Sequence, residues 1–208
     1  MASSLLPMHP KNPEKRKLQM CVDHLKQEGV LAFPSETGYV LLSSLGSKKA
    51  VDALRQCRQV DKHHLFSLAG LDVAQLSEYV HLTTPVFRLI KKHTPEAITF
   101  IVEASKAVPK MLVHPKRRTL GVRIVSHMPF RALLTLFGAP LICVGLLKKT
   151  QADEYFEPIN GSDVIEMVSH PKLLVVETEP CVHAQTTIVD CMGSYPVLVR
   201  EGVGAITL

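Results

Sequence analysis

The chain has 208 residues, 46% hydrophobic, with 24 Lys and Arg against 19 Asp and Glu for a formal net charge of +5. That length supports one sizeable core, and no apolar run approaches the ~18 residues that span a bilayer. Aromatic residues make up 5% and tryptophan is absent, which argues against a base-stacking platform for single-stranded nucleic acid, while the modest basic excess favours anionic ligands, nucleotide or nucleic acid.

The start, MASSLLPMHPKN, lacks a basic region followed by an apolar segment of about 7–15 residues, so it does not read as a secretory signal. The expectation is a cytoplasmic protein whose residues 1–10 are a disordered lead-in. KNPEKRKLQMCVDHLKQEG predicts a helix, with Asn12 as its cap, Pro13 in the first turn and Gly29 just past the end. Leu18, Cys21, Val22 and Leu25 recur at helical spacing. VLAF and YVLLSSL are strands, and SKKAVDALRQCRQV is a second helix with Arg55 and Arg58 near its C-terminus.

LFSLAGL is then a strand, DVAQLSEYV a short helix capped by Asp72, and TTPVFRLIKKH a helix with a Thr cap that Pro95 ends. AITFIVEA and TLGVRIV are strands, PFRALLTLFG is a helix closed by Gly138, and PLICVGLL is a buried strand. SDVIEMVSH is a helix capped by Ser162, and KLLVVET, TTIVDCM and YPVLVREG are three more short strands. Helices and strands intermingle without a strict βαβ period, and neither repeat nor linker interrupts them. The fold class is α/β (α+β), a single domain over 1–208 built on a mixed sheet with flanking helices.

Cysteines 21, 57, 143, 181 and 191 are odd in number and form no CxxC pair, so they read as scattered reduced thiols. The histidines form no HExxH or Cys/His ligand pattern, and no structural metal is expected. There is also no Walker loop, GxGxxG or nucleophile elbow. The chemical signal is distributed. FPSETGYV follows a strand with hydroxyls at Ser35, Thr37 and Tyr39, and RQCRQVDKHH groups Arg55, Arg58 and Lys62. Arg123 sits inside the strand LGVRIV, where it needs an anionic or hydrogen-bonding partner. Thr186 and Thr187 precede a strand and Arg200 ends one. Hydroxyls and arginines at strand ends make a phosphate and carboxylate site.

Each choice has a plainer alternative. Ser35 and Thr37 are turn or cap residues in that case, Arg58 is a helix-end charge, Tyr39 is core, and Arg123 pairs with an internal carboxylate such as Asp190. The run HPKRRT is solvated surface or, through Lys116, Arg117 and Arg118, a contact for a phosphate backbone.

In this order, GVLAFPSETGYVL, RQCRQVDKHHLFSL, KKHTPEAITFIV, GVRIVSHMPFRALLTLFGAPL, QTTIVD and VLVREGVG resemble the YrdC family, most closely its YciO-like branch, from about Leu18 to the C-terminus. The resemblance implies a twisted mixed sheet with helices around a concave basic cavity. It also implies formation of threonylcarbamoyl-adenylate from threonine, bicarbonate and ATP with Mg²⁺, for modification of transfer RNA, and binding of double-stranded RNA. By the same resemblance, Ser35, Thr37, Tyr39, Arg58, Lys62, Arg123, Thr186, Thr187 and Arg200 fall on family ligand positions. Three departures stand out: Gln56 replaces the lysine of a Lys-x-Arg pair, Gly145 and Leu147 replace a Ser-x-Asn, and Pro95-Glu96-Ala97 replaces a Pro-Gly-Pro loop. The alternative they raise is a non-catalytic RNA-binding module with a diverged cavity.

Overall fold

The structure, a computed structural model, describes residues 4–149, 155–182 and 184–208. Chain order runs β1 (Ser4–Pro7), α1 (Lys15–Lys26), β2 (Val30–Ser35), β3 (Gly38–Ser43), α2 (Lys48–Arg58), β4 (Ser67–Gly70), α3 (Val73–Leu76), β5 (Val80–His81), α4 (Thr84–Lys92), β6 (Ile98–Ala104), a 3-10 turn (Lys110–Leu112), β7 (Thr119–Ile124), α5 (Met128–Phe137), β8 (Leu141–Gly145), β9 (Lys148–Lys149), β10 (Tyr155–Phe156), α6 (Gly161–Met167), β11 (Leu173–Glu177), β12 (Thr187–Asp190) and β13 (Val197–Arg200). Eleven strands form one mixed sheet in the order β1-β11-β2-β3-β8-β4-β7-β6-β12-β13, with β5 added on β6. This is the mixed-sheet α/β architecture that the pattern of elements predicts. Among the described residues, no helix is long and apolar enough to cross a membrane.

The strands β2 and β3 are buried at every position, because helices cover both faces of the sheet there. Alternation sends Val30, Ala32 and Leu41 to one core, closed by Val51 and Leu54 of α2, Leu76 of α3, Ile90 of α4 and Val164 of α6. Leu31, Phe33, Val40 and Leu42 go to the other, closed by Leu18, Val22 and Leu25 of α1 and by Phe130, Leu133 and Leu134 of α5.

Residues paired across strands share a face. From Cys143, on the face that α1 and α5 cover, the register runs to Ser67, on to Gly121 and Ile101, and then to Asp190. The neighbouring row passes through Thr99, Ile188 and Arg200. The core against α1 and α5 contains no residue of β6, β12 or β13. The face that is core at β2 and β3 therefore stays open at the other end of the sheet, and that open half becomes the site.

Several local expectations are corrected. Residues 4–7 are not a disordered lead-in: they pair in parallel with β11, and Leu6 and Met8 are buried. Asn12 and Pro13 do not begin α1, whose N-cap is Glu14; the Asn12 amide instead donates to His9 Nδ1 at 3.0 Å. The left-handed residue after α1 is Glu28 (φ 63°), not Gly29. Gly29 has a different reason to be small, since a Cβ there would lie 2.3 Å from the His24 ring. That ring packs its Nε2 against the carbonyls of Lys172 (2.9 Å) and Val30 (3.2 Å), tying α1 to the sheet. Thr83 precedes α4 without a side-chain cap bond. The cap of α6 is Asn160, in a reciprocal capping box with Asp163, and not Ser162. Ser47 and Asp72 do cap their helices, accepting from Ala50 N and Gln75 N.

The docking of β1 is directly testable. Leu6→Ala should lower the urea-unfolding free energy by about 2–3 kcal/mol, the low end for a buried leucine. A loss within ~0.5 kcal/mol, the range of surface changes, would mean that this segment does not pack.

Candidate functional site

At the open half of the sheet lies a cavity of about 330 Å³. The β2–β3 turn supplies Thr37, the start of β3 supplies Tyr39, the end of α2 supplies Arg58, and the sheet floor supplies Ser67, Thr99, Arg123 and Ile188. The end of β8 gives Gly145, and Thr186 and Arg200 close the far side. Gly121 keeps the floor low, because a Cβ there would meet Ser67 Oγ at 2.5 Å.

Arg123 is 5% exposed. Its Nη2 donates to Glu36 Oε1 at 2.5 Å and to Thr37 Oγ1 at 3.3 Å. Burial alone would lower its pKa, but Glu36 and then Cys143 outweigh burial and leave it raised, so the guanidinium is held charged. The carboxylate partner is thus Glu36 and not Asp190, which accepts from Arg117 at 2.5 Å. Arg58 reaches across from α2, donating from Nε to the Gly145 carbonyl at 2.8 Å. Arg200 is anchored to Thr186: Nη2 donates to its carbonyl at 2.7 Å and to its Oγ1 at 3.0 Å. Thr99 Oγ1 donates to that same hydroxyl at 3.2 Å. These hydrogen bonds pre-orient the three guanidiniums for anions.

Tyr39 is 2% exposed, and its hydroxyl is buried with no hydrogen-bond partner among the described residues. It is therefore core by burial and cavity wall by position. Burial first, then nearby Cys181 and Glu177, pushes its phenol up, so it stays a neutral donor. The Cys143 thiol on the same wall is raised to about 11 by burial and is not a thiolate at neutral pH.

Of the nine ligand positions predicted, Thr37, Tyr39, Arg58, Arg123, Thr186 and Arg200 line this cavity. The other three stand apart. Ser35 Oγ donates to Gly38 O at 2.7 Å and accepts from Thr37 N, closing the β2–β3 turn. Thr187 Oγ1 donates to Gly204 O at 2.7 Å and accepts from Gly202 N, pinning the C-terminal segment. Lys62 is exposed and outside the lining. Lys116 and Arg118 are exposed, and Arg117 is tied to Asp190.

The departures also separate. Gly145 and Leu147 line the cavity, whereas Gln56 is exposed and directs Oε1 at His170 Nε2, 2.9 Å away. Sequence reading gives no site role to Glu36, Thr99 and Glu157, and it takes His64, with His63, as solvated surface; His64, Thr99 and Glu157 line the cavity and Glu36 pairs with Arg123 behind it. Glu36 stands between two flagged hydroxyls and Thr99 is a polar residue flanked by Ile98 and Phe100 in a strand, so both carry a usable signal. A larger groove of about 1140 Å³, lined by Leu71, Phe87, Lys91 and Pro95, holds none of the predicted site residues.

Comparison with known proteins finds matches to both the sequence and the fold. The family model for Sua5, YciO and YrdC, described as "Telomere recombination", matches residues 23–202. YciO of Escherichia coli is 32% identical over 197 residues, covering 95% of this chain and 94% of YciO. The crystal structure of E. coli YciO superposes with a TM-score of 0.89 at 30% identity, over 98% of this chain and 97% of that one. Threonylcarbamoyl-AMP synthase of Wigglesworthia glossinidia brevipalpis is 25% identical over 135 residues, 64% of this chain and 69% of its own. The structure of P. abyssi Sua5 complexed with L-threonine gives a TM-score of 0.84 at 19% identity, over 96% of this chain and 58% of that one.

The unpartnered hydroxyl of Tyr39 gives a clean test. Tyr39→Phe removes a buried polar group that the fold does not use, so stability should hold or rise by up to ~1 kcal/mol in urea unfolding. A loss of ~1 kcal/mol or more would mean that the hydroxyl is a structural bond.

Proposed function

The chain belongs to the Sua5/YciO/YrdC family, and on that premise we propose that its cavity binds a nucleotide and a small amino acid for threonylcarbamoyl-adenylate-type chemistry. The observation that carries this reading is the convergence of Arg58, Arg123 and Arg200 with the hydroxyls of Thr37 and Thr186 on one concave site. Three fixed guanidiniums suit the phosphates of ATP and the carboxylate of threonine, and hydroxyls supply orientation. The threonine-bound Sua5 of matching fold supports the choice of amino acid. In this reading Mg²⁺ would arrive on the phosphates of ATP, as it does at nucleotide sites that lack an all-protein cage.

Transfer to the α-phosphorus develops charge that positioned donors stabilise, and one such donor is worth ~10²–10³ in rate. Gly145 and Leu147 offer no side-chain donor where they line the cavity. The chemistry is correspondingly slow or altered in this reading. A second reading, a module that binds double-stranded RNA or tRNA through phosphates, is favoured by exposed Lys116 and Arg118 outside the cavity.

The purified protein should show an ATP-dependent rise in melting temperature and weak pyrophosphate release with threonine, bicarbonate and ATP. Gly145→Ser with Leu147→Asn should raise that release, by about tenfold or more if both donors engage. Among the described residues a Cβ at Gly145 meets nothing within 4 Å, which leaves room for the serine. No melting shift at millimolar ATP would remove the nucleotide reading. Fast release by the wild-type chain, unchanged in the double variant, would show that these positions are not limiting.

A further inference from the structure

We infer that His64 is a ligand-contact residue which, with Arg58, forms a proton-coupled clamp for a doubly charged phosphate-type anion. This deepens the nucleotide reading and rests on it. His64 lies on the loop after α2 and lines the cavity together with Arg58. Its position is fixed from behind. The backbone N–H of His64 donates to Asp61 Oδ1 at 3.1 Å, and the ring sits edge-on to Phe66 with centroids 5.3 Å apart. The guanidinium of Arg55 covers the Phe66 ring at 5.5 Å. Among the described residues neither ring nitrogen of His64 makes a hydrogen bond, so the polar edge of a rigidly held ring is left for the cavity.

The electrostatics give this edge a switchable charge. Burial, and then Arg58, lowers the imidazole pKa; Asp61 opposes and Arg55 adds to the lowering. The ring is therefore neutral at pH 7 beside a permanent cation. An anion seated on Arg58 cancels that repulsion and adds an attractive charge within reach of the ring. The bound state then favours imidazolium, and binding takes up a proton. The sign follows: the bound-state pKa exceeds the free-state pKa, so affinity rises as pH falls through the bound value and levels off below the free one. Among the described residues, the other charged groups on the cavity walls are Arg123, Arg200 and Glu157, with Glu36 behind Arg123. The arginines do not titrate in this window.

Sulfate is the direct probe, because it keeps its double charge from pH 5 to 7.5. Calorimetric titration of the full chain with sulfate should give binding about tenfold tighter at pH 5 than at pH 7.5, the change that a coupling of about one pKa unit produces. His64→Gln keeps a polar group that cannot titrate and should flatten the profile, with an unchanged melting temperature as the check on folding. In wild type, the NMR titration midpoint of the His64 ring should move up when sulfate is added. Three results would overturn the clamp: a flat profile in wild type with binding retained, an equally steep profile in His64→Gln, or a His64 midpoint indifferent to sulfate. If neither sulfate nor pyrophosphate binds at any pH, and Arg58→Gln changes nothing, the anion site itself is refuted along with the clamp.

Discussion

The site depends on a buried ion pair between Glu36 and Arg123. Their side chains are 15% and 6% exposed. Taking two charges out of water costs several kcal/mol per ion, and only close geometry with extra hydrogen bonds offsets that cost. Here the bond from Nη2 to Oε1 is short, Thr37 accepts a second one, and Cys143 lies alongside. The pair joins the β2–β3 turn to the middle of β7, two parts of the sheet separated by β8 and β4. It thereby sets where Thr37 and Tyr39 stand relative to the cavity floor.

That floor exists because helices cover the sheet unevenly. One face is core from β11 across to β12, and the other is core only where α1 and α5 lie. Beyond them, Ser67, Gly121, Thr99 and Ile188 continue the same face with no helix above them. Small and hydroxyl-bearing residues replace the Leu and Phe found at β2 and β3, which is what an open, wettable surface requires. Arg58 and Arg200 then stand at its rim, held by the Gly145 carbonyl at the end of β8 and by the carbonyl and hydroxyl of Thr186 just before β12. Fold and site are thus linked through sheet register: a one-residue slip in β7 would send Arg123 to the opposite core.

Much of this was legible in the sequence. Short apolar runs placed β2, β3, β6, β7 and β8, and the family-like order of motifs pointed to nine residues, six of which line one cavity. Cap assignments are less legible, because Asn12 is a better capping residue than the Glu14 that precedes α1 and Ser162 is as capable as Asn160, and local contacts decide among them. The β1 strand was missed since four residues of SLLP carry no period of their own; it forms only because β11 offers an edge. Arg123 was read as needing a partner, but sequence separation hid that Glu36 provides it 87 residues away. Gln56 shows the converse: its motif position suggested the cavity, while the helix turns its side chain outward to His170.

The central claim is that Glu36 and Arg123 form a mutually dependent pair under the cavity, and a double-mutant cycle in urea unfolding measures that dependence most directly. Arg123→Met alone and Glu36→Leu alone should each cost about 3–5 kcal/mol, because each strands a buried charge. The double variant should cost clearly less than the sum, and no more than either single change. Additive losses would contradict the account, since they would mean that the two side chains stabilise the fold independently and that Arg123 is held in place by something other than Glu36.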